Sequence, residues 1–274
     1  MNNYSQNIIS PSWLAENLDN KNLRIIDCRF SLNDVNLGRK QYEKEHIPGA
    51  FYLDLNQDLS SPVAKHGGRH PLPDTEIFSK KLEEIGINFG ETMVIAYDDT
   101  LSAFASRLWW LLRYFGHEKV AILNGGYSQW KAQSYPVTST ISQSKKGTFK
   151  TQIKEYLVLN REDVIKQKDL EKVVLVDSRD SERYRGEKEP IDPIAGHIPG
   201  AINLPWKNVL DENGYFKSPE NQKQRWLNYE DKEDIVVYCG SGVTACVNLL
   251  SLHLAEINKG KLYGGSWSDW CSYL

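Results

Sequence analysis

A cysteine in a short glycine-containing loop is the feature most suggestive of chemistry. Residues Cys239–Ala245 read CGSGVTA, after the buried-strand pattern Ile235–Tyr238 and before the apolar run Cys246–Leu250. Successive backbone N–H groups in such a strand–loop–helix turn form an anion nest, and the helix N-terminus adds partial positive charge. Both effects favour a thiolate and, after sulfur uptake, a persulfide anion. The pattern predicts Cys239 as a nucleophile, with a loop made by Gly240, Ser241, Gly242, Val243 and Thr244.

Two other interpretations of Cys239 compete with this one. A cysteine with no special context is usually a small buried residue. A cysteine phosphatase uses a similar cradle, but it needs an arginine at the end of the loop to clamp phosphate, and position 245 is alanine. The remaining cysteines lack such a loop and are predicted to be packing residues: Cys28, Cys246 and Cys271.

The elements around this loop alternate between short β-rich runs and amphipathic segments. This alternation predicts an α/β fold, with mainly parallel sheets flanked by helices and chemistry at the carboxyl ends of the strands. The predicted strands are Leu23–Asp27, Thr92–Tyr97, Val120–Leu123, Val173–Asp177, Asp234–Tyr238 and Lys261–Tyr263. The predicted helices are Phe78–Leu82, Ser102–Tyr114 and Gly242 to about Leu254.

An internal duplication organises the chain. The string HIPGA occurs at residues 46–50 and again at 197–201, each time after an apolar run that ends in Asp-x-Arg, at Asp27 and at Asp177. Markers repeated in the same order predict two similar domains, 1–135 and 155–274, joined by a Ser-, Thr- and Lys-rich linker over 136–154. A structural ion pair is expected at each Asp-x-Arg strand end. The first domain has Asp98 where the second has its cysteine, so it is expected to lack the nucleophile.

Composition excludes several classes of protein. The 274 residues carry a formal net charge of −3 and are 40% hydrophobic, which is ordinary for a globular chain. No basic surplus indicates nucleic acid, and no apolar run is long enough to indicate a membrane span. The N-terminus does not resemble a secretory signal, and four cysteines without zinc-site spacing indicate a reducing, cytoplasmic setting.

Together these motifs resemble the tandem-domain sulfurtransferases, the family of rhodanese and 3-mercaptopyruvate sulfurtransferase. The resemblance rests on both HIPGA strings, the Asp-x-Arg strand ends, the Gly-Gly segments near Gly125 and Gly264, and the CGSGVTA loop. It implies two rhodanese-like domains, an inactive first domain and a catalytic second one. It also implies a persulfide on Cys239 and no metal or organic cofactor. The implied partners are a small anionic sulfur donor and a thiol, thioredoxin-like dithiol or cyanide as acceptor.

The loop sequence favours 3-mercaptopyruvate over thiosulfate as the donor, because thiosulfate enzymes of the vertebrate type carry basic residues after the cysteine. By the same resemblance, Arg183 would bind the donor, and Ser241 with His70 would assist proton transfer. Two positions depart from the family pattern: Ile191 stands where a second arginine is expected, and Asn56 where an aspartate is expected. Arg185 is a further candidate for donor binding.

Two alternatives to this reading remain open. One is a thiosulfate sulfurtransferase, and the other is a sulfur carrier or regulatory binding module that does not turn over. Multiple turnover with a thiol acceptor distinguishes a catalyst from a carrier.

Overall fold

The computed structural model describes residues 7–274, and contacts within the chain divide it into two compact units. Unit 1 comprises the chain up to Ser61, Pro73–Lys154 and Glu212–Phe216, and unit 2 comprises Pro62–Leu72, Glu155–Asp211 and Lys217–Leu274. Two short segments, 62–72 and 212–216, therefore group with the unit that does not contain their neighbours in sequence. The predicted domains, 1–135 and 155–274, do not separate these two segments from their neighbours in sequence.

Unit 1 is built on a five-stranded parallel sheet with the strand order β1-β5-β4-β2-β3. Its strands are β1 (Ile8–Ile9), β2 (Leu23–Asp27), β3 (Ala50–Tyr52), β4 (Met93–Tyr97) and β5 (Val120–Leu123). Its helices are α1 (Pro11–Glu16), α2 (Leu37–Lys44), α3 (Thr75–Glu84), α4 (Ala103–Tyr114) and α5 (Gly126–Ala132).

Unit 2 repeats this topology in a second five-stranded parallel sheet, with the order β6-β10-β9-β7-β8. Its strands are β6 (Val158–Leu159), β7 (Val173–Asp177), β8 (Ile202–Asn203), β9 (Asp234–Tyr238) and β10 (Gly260–Tyr263). Its helices are α6 (Arg161–Gln167), α7 (Ser181–Tyr184), α8 (Pro219–Trp226), α9 (Ala245–Leu254) and α10 (Ser266–Trp270). Equal strand order in the two sheets confirms the duplication and the α/β fold.

The central strands form where the sequence is apolar and β-branched, because parallel strands are covered on both faces. Four predicted strands, β2, β5, β7 and β9, are found with their predicted bounds. Helix α3 is longer than predicted, because Asp74 caps its first turn by accepting hydrogen bonds from the N–H groups of Glu76 and Ile77. Helix α9 begins at Ala245 rather than at Gly242, which has a φ of +75° and lies outside the helix.

A buried ion pair closes the carboxyl end of one strand in each unit. Arg29 Nη2 lies 2.6 Å from Asp27 Oδ2, and Arg179 Nη2 lies 2.7 Å from Asp177 Oδ2. Each aspartate also faces a tyrosine of the neighbouring strand in register, Tyr97 in unit 1 and Tyr238 in unit 2. The expected ion pairs are confirmed, and they fix the strand ends from which the adjoining loops depart.

Among residues 7–274, no helix is long and apolar enough to cross a lipid bilayer. The same residues contain no group of three or more histidine, cysteine or acidic side chains arranged to hold a metal ion.

Candidate active site

Cys239 directly follows β9 and is only 2% exposed. Its N–H donates to Ser266 Oγ at 3.1 Å, and its carbonyl accepts from the N–H of Trp267 at 3.0 Å. Both partners belong to the first residues of α10. The backbone of the cysteine is thus held between the end of a central strand and the start of a helix.

The loop after Cys239 leaves backbone donors unused. The N–H groups of Gly240, Ser241, Val243 and Thr244 donate to no acceptor within the described chain, residues 7–274. Unpaired buried N–H groups are costly, so a run of them at the end of a strand and the start of α9 suits an incoming anion. Gly242 makes the turn possible for two reasons. Its φ is +75°, a conformation that other residues rarely adopt, and a Cβ atom at this position would lie only 2.4 Å from Gly264 O.

Ser241 is hydrogen-bonded to His70 within unit 2. Ser241 Oγ and His70 Nδ1 are 2.7 Å apart, and both residues are buried. The segment that carries His70 is fixed by two further bonds, from the N–H of Gly67 to Asp269 Oδ1 at 2.7 Å and from the N–H of Arg69 to Ser268 Oγ at 3.1 Å. The structure therefore brings together the two predicted proton-transfer residues, although 171 positions separate them.

Arg183 lies beside the cysteine loop. A methyl group placed at Gly240 would be 3.4 Å from Arg183 Nη1. The guanidinium is anchored by Glu189, with Nη2 at 2.6 Å from Oε1, and by Asp192, with Nη2 at 3.1 Å from Oδ2. Burial opposes ionisation of Glu189, but hydrogen bonds led by that from Arg183 outweigh it and lower the pKa of this carboxyl. Glu189 therefore stays charged and holds the arginine in place.

The structure shows the immediate surroundings of three other residues that the sequence singled out. Arg185 is exposed and its Nε lies 2.6 Å from Glu187 Oε1, so the geometry gives no support to a role in donor binding. Ile191 is 44% exposed. Asn56 belongs to unit 1, where its N–H donates to Asp54 Oδ1 at 2.8 Å.

Two charged residues are not predicted by the sequence, Arg69 beside the loop and Asp192, which pairs with it. Arg69 Nη2 would be 3.1 Å from a methyl group at Gly240, and Arg69 Nη1 forms a short ion pair with Asp192 Oδ1. The signal for Arg69 is the basic stretch Lys65–His70, from which the sequence analysis predicts only His70 as a site residue. Nothing in the sequence indicated that Asp192 would join Arg69 to Arg183.

The other cysteines are buried, as predicted for packing residues. Burial is the largest cause that raises the pKa of the Cys28 thiol and of the Cys271 thiol, which keeps both protonated. Cys246 Sγ lies 3.4 Å from Gly242 O, so this thiol contacts the loop from the first turn of α9.

Unit 1 has an aspartate in the place of the cysteine. Asp98 directly follows β4, and its carbonyl accepts from the N–H of Tyr127 at 2.8 Å, just as the Cys239 carbonyl accepts from Trp267. The Asp98 carboxylate accepts four backbone N–H bonds at 2.7–3.0 Å. Their donors are Thr100, Ser102, Phe104 and Ala105. Burial raises its pKa to about 6 although these hydrogen bonds oppose the shift. The nest of unit 1 is filled by its own side chain.

Comparisons with known proteins agree with this architecture. The model of the rhodanese-like domain matches twice, over residues 10–133 and 160–273. A probable 3-mercaptopyruvate sulfurtransferase from Pseudomonas aeruginosa is 41% identical over 97% of this chain and 95% of the relative. A thiosulfate sulfurtransferase from Rattus norvegicus is 33% identical over 96% of this chain and 91% of the relative.

A solved structure is similar over almost the same span. The crystal structure of SseA from Escherichia coli, described as a 3-mercaptopyruvate sulfotransferase with a rhodanese fold, superposes with a TM-score of 0.83 at 33% identity. The match covers 95% of this chain and 98% of that one. With two matching domains, relatives above 30% identity over nearly the full length, and a cysteine loop at the end of β9, the chain belongs to the rhodanese-like family of tandem-domain sulfurtransferases.

Proposed function

We propose that this sulfurtransferase takes sulfur from 3-mercaptopyruvate onto Cys239 and passes it to a thiol acceptor. The observation that carries the proposal is the equivalence of Cys239 and Asp98. A carboxylate oxygen of Asp98 is two bonds from Cβ, and so is the outer sulfur of a cysteine persulfide. In unit 1 that position is held by four backbone N–H groups. The loop of unit 2 has N–H groups without an acceptor in the described part of the chain, and these can hold a persulfide anion in the same way.

In the first half-reaction, the Cys239 thiolate attacks the sulfur of 3-mercaptopyruvate. An S–S bond forms, the C–S bond breaks, and its electron pair stays on carbon as the enolate of pyruvate. The thiol proton of the donor ends on that carbon, so Cys239 persulfide and pyruvate are the products. Ser241 and His70, joined at 2.7 Å, provide a path for this proton. Arg183 binds the anionic end of the donor.

In the second half-reaction, a nucleophilic acceptor attacks the outer sulfur of the persulfide. A small thiol or a thioredoxin-like dithiol leaves with the sulfur, and the Cys239 thiolate is regenerated. Cyanide serves as acceptor in the same way and leaves as thiocyanate. No metal or organic cofactor takes part in this scheme. A cytoplasmic location fits the four free thiols, because a reducing compartment keeps them available.

Mass spectrometry and kinetics on one preparation test the proposal. Incubation with 3-mercaptopyruvate should add one sulfur atom to the intact chain, on Cys239, and release one equivalent of pyruvate. The value of kcat/KM should be higher for 3-mercaptopyruvate than for thiosulfate. Arg183→Ala should raise the donor KM, and an unchanged KM would remove Arg183 from the site.

Thiosulfate remains the second candidate donor, since relatives that carry that name are 33% identical to this chain. A higher kcat/KM for thiosulfate would establish it as the donor. Sulfur uptake without turnover in the presence of a thiol would instead indicate a carrier.

A further inference from the structure

A cavity in unit 2 lies one strand away from the cysteine loop. Its volume is about 290 Å³, close to the lower limit of roughly 300 Å³ for small-molecule sites. It lies at the carboxyl ends of β6 and β10, and β10 is the neighbour of the strand that ends at Cys239. In parallel α/β sheets this edge is where ligands bind. One wall is the segment that carries His70, through Gly67, Pro71 and Leu72.

Arg161 brings an uncommitted cation to this cavity. Its guanidinium carbon lies 4.1 Å from the ring centre of Tyr273 and 5.2 Å from that of Trp270. Within residues 7–274 the guanidinium has no hydrogen bond and no ion pair, and its Nε is buried. An arginine stacked on aromatic rings keeps its N–H edge available for an anion. Because a buried N–H without an acceptor is costly, this side chain suits a ligand that supplies one.

The fold itself does not require a cation at this position. Arg161 directly follows the N-cap of the helix after the edge strand of unit 2, and the equivalent residue of unit 1 is the buried Pro11. A positive charge in the first turn is also opposed by the helix dipole. The start of α6 is already capped, because the Asn160 side chain accepts from the N–H of Asp163. The available donor is therefore the arginine side chain and not the helix terminus.

Acidic neighbours limit the charge that a ligand can carry. The Asp269 carboxylate accepts from the N–H of Gly67 at 2.7 Å and from the Tyr263 hydroxyl at 2.6 Å, and it lines the cavity. The exposed Glu162 lines it as well. Both carboxylates would repel a second negative charge on the ligand. The rest of the wall includes four apolar side chains: Pro71, Leu72, Val158 and Leu159.

We propose that this cavity binds a small monocarboxylate with an apolar body, and that Arg161 holds the carboxylate. The guanidinium edge donates two hydrogen bonds to the two oxygens, and the apolar body lies against the aliphatic wall. Tyr273 holds the arginine ready, since its ring is itself stacked on His66 with ring centres 3.9 Å apart. This site goes beyond the proposed function and does not use Arg183.

Calorimetric titration with two probes, 4-methylpentanoate and phenylacetate, tests the site. Each acid should bind at least about 10-fold more tightly than its uncharged amide, because the amide lacks the charge that pairs with Arg161. Adipate, which carries a second carboxylate, should bind more weakly than 4-methylpentanoate. Arg161→Gln should raise the Kd of both acids by about 10-fold or more. Lys166→Gln removes an exposed cation of the same helix and should leave Kd within about twofold.

Several results would overturn the proposal. They are the absence of binding by both acids, equal binding of acid and amide, and an unchanged Kd in Arg161→Gln. If Arg161→Gln does not fold, Arg161→Lys replaces it. That variant keeps the charge without the planar donor pair, so a raised Kd supports the site and an unchanged Kd rejects it.

Arg183→Ala separates this cavity from the site of the sulfur donor. It removes the cation assigned to the donor and should leave the Kd of both probes unchanged. Loss of binding in this variant would place the probes at the donor site and reject the second site. None of these titrations depends on sulfur transfer, so failure of the proposed function and failure of the carboxylate site are distinguishable.

Discussion

The loops after β4 and β9 occupy equivalent places in two sheets of the same topology, yet one is filled and the other is open. In unit 1 the Asp98 carboxylate satisfies four backbone N–H groups. In unit 2 the corresponding residue is Cys239, and several N–H groups of its loop have no acceptor among residues 7–274. Helix α4 begins at Ala103, five positions after Asp98, whereas α9 begins at Ala245, six positions after Cys239. Under the proposed function the same turn serves stability in unit 1 and chemistry in unit 2, depending on which residue stands at the end of the strand.

The difference extends to the charges around each loop. Arg69 and Arg183 face Gly240 in unit 2. In unit 1 the segment 212–216 lies against the loop, with Gly214 next to Leu101, and Tyr215 is hydrogen-bonded to Gln129 at 2.8 Å. Under the proposed function the loop of unit 1 takes no substrate, so this contact does not obstruct the reaction.

The largest expected effect is loss of the nucleophile. Cys239→Ser should lower turnover by at least about 10⁴-fold, because the hydroxyl cannot carry the transferred sulfur. Steady-state assays measure the loss, and intact-mass analysis should find no added sulfur.

Cys28→Ala is the matched control, a buried cysteine in unit 1 that should leave turnover unchanged. Sulfur found on Cys28, Cys246 or Cys271 in the Cys239→Ser variant would contradict the assignment of one nucleophile.

Removal of the aspartate should damage stability rather than chemistry. Asp98→Ala should lower the free energy of unfolding by about 3 kcal/mol or more, because it leaves four buried N–H groups without an acceptor. Urea denaturation measures the change. Cys239→Ala should cost clearly less, since no hydrogen bond to the Cys239 sulfur is lost from the described chain. Equal costs at the two positions would mean that the two loops do not differ in this way.

The pH dependence of stability should carry the signature of Asp98. Its pKa is about 6 in the folded chain against 3.8 in the unfolded one, so the native state binds the proton more tightly. The contribution of Asp98 is then present at low pH and is lost as pH rises through 6. The unfolding free energy of the wild type relative to Asp98→Asn should fall by about 2 kcal/mol between pH 4 and pH 7.

Urea titrations at several pH values measure this slope, with the exposed Asp19→Asn variant as control. A relative stability that rises with pH would show that the four hydrogen bonds outweigh burial and lower the pKa of Asp98.

The smallest expected effect is that of the serine. Ser241→Ala should reduce kcat for 3-mercaptopyruvate by about 10-fold and leave KM unchanged, because it interrupts the proton path to His70 without removing a donor-binding group. Discharge of a polysulfide-loaded enzyme to dithiothreitol should proceed at the wild-type rate. A raised KM with constant kcat would place Ser241 in binding instead.

Much of this architecture could be predicted from local patterns. Runs such as Val173–Asp177 are apolar on both faces, and this property alone predicts a central parallel strand. Helix ends were less predictable, because the start of α9 depends on a left-handed glycine at 242 and that of α3 on the cap by Asp74. The candidate site was predicted where its residues are contiguous, as in Cys239–Thr244.

Residues brought in from other segments were harder to predict. The sequence predicts His70 as a site residue but not Arg69, and it predicts Arg185 although the partner of Arg185 is Glu187 on the surface. Side chains of neighbouring residues such as Arg183 and Arg185 have the same local context. Which of them faces the loop depends on the direction of a single short helix, and sequence spacing does not settle this for an element of four residues.

The order of residues along the chain already determined the duplicated α/β plan, the strand that ends at Cys239 and the glycines that let a loop turn back on itself. These are local properties, because strand propensity and glycine dihedrals act between near neighbours. Only the tertiary structure decided that Asp192 would join Arg69 to Arg183. The ion pair between Arg69 and Asp192 requires two residues that are 123 positions apart in sequence to come within a few ångströms of each other. That meeting depends on how a whole unit packs, and no short segment of sequence contains it.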